Sequence, residues 1–184
     1  MKKNKRVYAG IWMSALIILG MAGCKSVTIE EQRVTATAYA KTSMVQAQES
    51  AETGAMAFCN IDFEDGIAAY KETLCDVTTA LGCSYYSTEI EKNWDTLIDM
   101  YDTDLLECEM VSSELLEESV QFGFPVQIWY IRLIGTTGWE QNQTNRNYWV
   151  QVANESGEWK LNRMLSLTEV EYYRERFQDD TEIQ

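Results

Sequence analysis

The chain has 184 residues, with 15 Lys and Arg against 29 Asp and Glu and a formal charge of −14. Such a charge repels nucleic acid and anionic lipid surfaces, both of which are bound through Lys and Arg. Histidine is absent, which excludes Ser–His–Asp and Cys–His nucleophile arrangements and histidine-ligated zinc.

The first residues have the pattern of a targeting segment. Lys2, Lys3, Lys5 and Arg6 form a positive flank, and Val7 to Gly23 is almost wholly apolar or small. A permanent span needs about 20 predominantly apolar residues. This stretch is shorter and breaks into Gly20, Ala22 and Gly23 just before Cys24, as a secretory signal does. Met21-Ala22-Gly23-Cys24 resembles the lipobox of bacterial lipoproteins, with Met21 where leucine is usual. The resemblance implies diacylglycerol on the Cys24 sulfur and cleavage before Cys24. The expected organisation is a signal peptide over 1–23, a lipidated tether over 24–38, and a single α+β domain over 39–184. The leader takes four positive charges and no negative one with it, so the remainder is more acidic still. A lipid on Cys24, and not electrostatics, would hold the domain at the membrane, facing outside the cytoplasm.

Beyond the tether, Met44, Ala47, Ala51, Ala55 and Phe58 recur at helical spacing and predict a first helix over about 38–58. Ile67, Tyr70, Leu74 and Val77 predict a second helix ending near Gly82. Ile90, Trp94, Leu97, Ile98 and Tyr101 predict a third, with Thr88 as N-cap and Glu91 three residues on. Leu106, Cys108 and Met110 then alternate with Glu107 and Glu109, which marks a strand. Val120–Leu133 reads as one long second strand, with Gly123 and Pro125 at a bulge or edge. The stretch from Gly135 to Asn147 reads as a hairpin loop, followed by a strand over Tyr148–Ala153. A turn at Asn154–Gly157 leads into a fourth strand over Glu158–Leu165, with Trp159 and Leu161 inward and Lys160 outward. Ser166-Leu167-Thr168-Glu169 is a capping box that opens a final helix to about Phe177.

Helices first and then an antiparallel meander is an α+β pattern. Within it, Tyr148-Trp149-Val150-Gln151-Val152-Ala153-Asn154-Glu155-Ser156-Gly157-Glu158-Trp159-Lys160-Leu161 resembles the closing hairpin of the nuclear-transport-factor-two-like superfamily. The resemblance implies N-terminal helices packed on a curved, cone-like, four-stranded antiparallel sheet, often with a pocket inside. That superfamily includes enzymes such as ketosteroid isomerase, binding domains, and subunits of conjugative secretion channels. Membership therefore does not choose a function.

The chemistry-bearing residues form no recognisable constellation. Asn60–Gly66 fails as a calcium loop, because Asp65 stands where glycine is required and Lys71 where glutamate is required. Asp99, Asp102 and Asp104 suit a polar helix–strand junction. Gly135-Thr136-Thr137-Gly138 lacks the lysine of a phosphate loop. Asp95, Asp99, Tyr101, Tyr130 and Tyr148 are of types that enzymes of the resembled superfamily use, but no spacing marks any of them. No catalytic residue, metal or cofactor is expected. Cys59, Cys75, Cys83 and Cys108 permit two disulfides in three pairings, or four buried free thiols.

The aromatic residues are more informative. Alternation puts Ile128 and Tyr130 on one face of the second strand and Trp129, Ile131 and Leu133 on the other. Trp149 joins the Trp129 face if the strands register that way. This surplus of apolar bulk marks Trp129, Ile131, Leu133 and Trp149 as a partner or pocket surface. The alternative is that the final helix covers it through Val170, Tyr173 and Phe177. The reading is a membrane-anchored, non-catalytic interaction or assembly subunit of an envelope or conjugative-transfer complex, with a protein partner or self-association. The alternative reading is capture of a small apolar molecule in the cone. An enzyme of the same fold stands third.

Overall fold

The structure is a computed structural model, and it describes residues 29–101, 106–137 and 143–178. Residues 1–28 with Cys24, residues 102–105 with Asp102 and Asp104, residues 138–142 and residues 179–184 lie outside the described residues. Helices α1 (Ile29–Cys59), α2 (Gly66–Val77) and α3 (Ala80–Tyr101) precede strands β1 (Leu106–Gln121), β2 (Phe124–Thr137), β3 (Gln143–Glu155) and β4 (Glu158–Met164). Helix α4 (Leu167–Gln178) closes the chain. The fold is α+β, with one open antiparallel sheet in the order β1-β2-β3-β4. Thr42–Gln184 form one compact unit and Met1–Lys41 another, of which the helical residues from Ile29 are described.

Helix α1 starts well before the expected residue 38. Glu30, Glu31 and Gln32 form helix readily, and acidic residues favour a helix N-terminus. They lack the apolar periodicity that reveals a packed helix.

The second and third helices divide at Thr78–Thr79, not near Thr88. The Thr79 hydroxyl accepts the Gly82 N–H (3.1 Å), which makes it the N-cap of α3. Thr88 lies inside α3, where its hydroxyl donates to the Ser84 carbonyl (3.0 Å). The break also serves the sheet, because the Thr79 N–H donates to the Leu161 carbonyl (2.8 Å).

The expected long strand over Val120–Leu133 is two strands. Phe122 and Gly123 have φ of 51° and 86° and form a two-residue hairpin turn between β1 and β2. Left-handed backbone at both central positions matches the twist of the flanking strands. Glycine adopts it freely and phenylalanine seldom does, so this turn has no Asn-Gly signature. β1 was further hidden by two register shifts, between Met110 and Ser112 and between Leu115 and Glu117. Each bulge resets the alternation that a sequence pattern relies on.

The inner face of the sheet packs on α1. Ala47, Ala51, Ala55 and Cys59 meet Cys108, Trp129, Ile131, Leu133, Val150, Val152, Trp159 and Leu161 in one core cluster. The alanine spacing puts a small-residue stripe along the helix and lets its backbone approach the strands. Gly54 shows how close that approach is: a Cβ there would sit 2.9 Å from the Leu161 Cβ. Trp159 and Leu161 point inward, and the Trp159 indole donates to the Ser43 hydroxyl (3.0 Å). A second cluster, Ala57, Ile61, Phe63, Tyr70, Leu74, Tyr86 and Ile90, joins the end of α1 to α2 and α3.

All four cysteines of the domain are bonded. Cys59–Cys108 ties the end of α1 to β1 (Cα–Cα 5.9 Å), and Cys75–Cys83 clasps the α2–α3 turn (4.5 Å). The free-thiol alternative is not what the structure holds.

Candidate functional site on the outer face of the sheet

Strand register decides which aromatics are available. Trp129 pairs with Val150 and Ile131 with Tyr148, all on the inner face. Trp129, Ile131 and Leu133 are 2%, 0% and 1% exposed under α1. They are core residues and offer no partner surface, which corrects the expectation for all three. The physical reason is the alanine stripe of α1, which brings a helix directly onto them. The Trp129 indole N–H is also satisfied there, donating to Gln127 Oε1 (3.1 Å). Nor is the cover the final helix, as the sequence alternative had it.

Trp149 behaves differently. It pairs with Tyr130 on the outer face, and their rings stack at 4.7 Å between centroids. The register thus separates Trp149 from the Trp129 face.

Helix α4 covers part of this outer face. Ser166 and Glu169 form the expected capping box: the Ser166 N–H donates to the Glu169 carboxylate (2.9 Å) and the Glu169 N–H to the Ser166 hydroxyl (3.4 Å). Arg163 of β4 donates two bonds to Glu169, at 2.6 and 2.7 Å. That fork, with the Ser166 bonds, holds the Glu169 carboxyl down to about 2. Further along, the Tyr173 hydroxyl donates to Glu117 of β1 (2.8 Å), and the Arg174 guanidinium lies 4.8 Å over the Trp149 ring. Burial, then the Glu117 carboxylate, pushes the Tyr173 phenol above its usual range. Val126 and Ile128 of β2 and Val170 and Tyr173 of α4 are buried.

Among the described residues, nothing covers the rest of the outer face. Tyr130 and Ile134 are half-buried, while Arg132, Asn145 and Asn147 are exposed. They border a recess of about 210 Å³ together with Val111. The Tyr130 hydroxyl donates to Asn147 Oδ1 (3.1 Å), and Arg132 Nε donates to the Ser112 hydroxyl (2.8 Å). An aromatic stack beside fixed polar groups suits a protein contact: broad area, few rotatable bonds, ready hydrogen bonds. Sequence reading missed Arg132, Asn145 and Asn147, since nothing in their spacing reveals which face they share.

A groove of about 390 Å³ beside the β3–β4 turn is lined by Glu49, Asp76 and Glu158 with Lys160, and all three carboxylates are exposed. Asp95 and Asp99 are exposed on α3. Among the described residues, no group of three or more Cys, Asp or Glu could hold a metal ion. Among the same residues, no helix is long and apolar enough to cross a membrane.

No protein-family model matches the chain, and no curated protein matches it. Its fold is similar to that of the periplasmic domain of DotI, with a TM-score of 0.53 at 12% identity, over 64% of this chain and 90% of that one. A periplasmic fragment of TraM aligns with a TM-score of 0.47 at 9% identity, over 67% of this chain and 93% of the fragment. At such identities the likeness to DotI is one of fold.

Proposed function

We propose that this chain is a lipid-anchored subunit of an envelope assembly, of the conjugative-transfer kind, that works outside the cytoplasm through protein contact and without catalysis. The observation that carries this reading is the part of the outer sheet face that α4 leaves open among the described residues, where Tyr130 packs on Trp149 at its edge beside Asn145, Asn147 and Arg132. An apolar aromatic pair left partly open on an otherwise strongly acidic protein is a marker of an interaction surface. The positive leader and the Met21–Cys24 lipobox support export and anchoring. The fold shared with a domain described as periplasmic supports the same compartment. Capture of a small apolar molecule inside the sheet has no such support, because α1 packs on the inner face so closely that a Cβ added at Gly54 would meet the Leu161 Cβ at 2.9 Å.

Two experiments test the two halves of the proposal. Cys24→Ser should abolish lipid labelling and leave an uncleaved precursor; undiminished labelling contradicts the anchor. A photo-cross-linking amino acid at Tyr130, in the full chain in its own membrane, should give a discrete heavier species that the same probe at Asp95 does not. Equal patterns at the two positions contradict the docking face.

A further inference from the structure

The two edges of the sheet are not equivalent. β4 is short, and its outer side is occupied: Thr78 bridges Leu161 and the Thr79 N–H binds the Leu161 carbonyl. β1 is 16 residues long and pairs with β2 alone. At its start the far side is taken, where Asn60 Oδ1 accepts the Cys108 N–H (2.7 Å). Among the described residues, no other strand lies against it from Glu109 to Gln121. Such an edge is a template for another strand, and proteins commonly guard it with charge, proline or bulges. β1 has two bulges but no lysine, arginine or proline.

What β1 carries instead is acid, and the bulges sort it. Glu107 pairs with Thr136, Glu109 with Ile134, Glu114 with Tyr130 and Glu117 with Ile128, all outer-face positions. Without the shift after Met110, Glu114 would fall on the inner face. Glu118 is the one acidic residue of β1 on the core side. Among the described residues, Glu107, Glu109 and Glu114 have no ion-pair partner. A second copy of this chain would bring acidic edge to acidic edge, which like charges on paired strands oppose. Lys and Arg at alternate positions would instead lie opposite these carboxylates, since side chains repeat every second residue on one face of a strand.

We propose that the β1 edge accepts an extended, Lys- or Arg-bearing segment of a protein partner as a fifth strand of the sheet. The backbone supplies the pairing and the sorted carboxylates choose the charge. The segment would run beside the Tyr130–Trp149 surface, so this inference rests on the reading that the domain works through protein contacts.

The test uses the full chain in detergent and a fluorescent ten-residue peptide of alternating Lys and Val, followed by anisotropy and amide hydrogen exchange. The peptide should bind and slow exchange in β1 between Glu109 and Gln121. The same peptide with alternate amides N-methylated should bind at least tenfold more weakly, and a Glu–Val peptide should not bind. Glu109→Lys with Glu114→Lys should weaken the Lys–Val peptide at least tenfold and admit the Glu–Val one. Absence of binding, protection elsewhere, or equal binding of the N-methylated peptide overturns the proposal. The last result would mean charge attraction without strand addition. A bound peptide with no cross-link at Tyr130 would overturn the docking face and leave the edge standing.

Discussion

The two faces of the sheet are built from the same strands by the same alternation, yet they do different work. The inner face meets α1 along Ala47, Ala51 and Ala55 and is closed. The outer face meets α4 mainly through long side chains: Tyr173 to Glu117, Arg174 over Trp149, Arg163 to Glu169. It is closed at one end and open at the other. Tryptophan sits on both faces, so bulk alone does not mark a binding surface. The covering element does, and small residues on a helix are as telling as large ones on a strand.

The largest effect should come from deleting one tryptophan and not the other. Trp129→Ala removes a buried ring and its indole bond to Gln127, and should cost about 3–5 kcal/mol in chemical denaturation. Trp149→Ala loses a stack and a cation–π contact at the rim and should cost about 1 kcal/mol. Equal costs would erase the distinction between the faces.

Gly54→Ala sharpens the inner-face account. Alanine gains ~1 kcal/mol in helix propensity, but its Cβ would meet the Leu161 Cβ at 2.9 Å. Overpacking of that kind costs about 1–3 kcal/mol, so the variant should melt no higher than wild type. A clear rise in melting temperature would show that α1 is not pressed against β4.

On the outer face the cap of α4 is the weak point. Ser166→Ala should cost about 1 kcal/mol and speed amide exchange at the start of α4 more than in β2. A uniform change across the chain would mean that α4 does not open by itself.

The smallest effect concerns acid. The Glu169 carboxyl is held at about 2, below its ordinary 4.5. Its pairing with Arg163 therefore contributes fully above about pH 5 and is lost as pH falls from 4.5 towards 2. The stability difference between wild type and Glu169→Gln should shrink over that window and stay flat above it. A difference that grows with acid would contradict the ion pair.

How much of this was legible in the sequence varies by element. Strongly periodic segments were: α1 around Ala47–Phe58, the β3–β4 hairpin with Trp159 and Leu161 inward, and the Ser166–Glu169 capping box. The α2–α3 break was not, because Thr78-Thr79 carries no glycine or proline and the cap at Thr79 depends on docking to Leu161. β1 is legible only as far as Met110, since two bulges interrupt its alternation and Phe122-Gly123 is an unusual turn pair. The candidate site depends on two further facts of packing: the β2–β3 register pairs Trp149 with Tyr130, and α1 covers the Trp129 face. The disulfide pairing follows from α1 ending beside β1 and α2 beside α3, which are facts of packing and not of spacing.

The central claim is that the inner face holds the domain together while the open outer face engages a partner. The most direct test compares Trp149→Glu with Trp129→Glu in the full chain, by thermal melting and by native electrophoresis of gently solubilised membranes. Trp149→Glu should melt near wild type and run as the free subunit, where wild type runs in a larger complex. Trp129→Glu should fail to fold. A Trp149→Glu chain that still migrates in the full complex, or a Trp129→Glu chain that folds normally, would contradict the account.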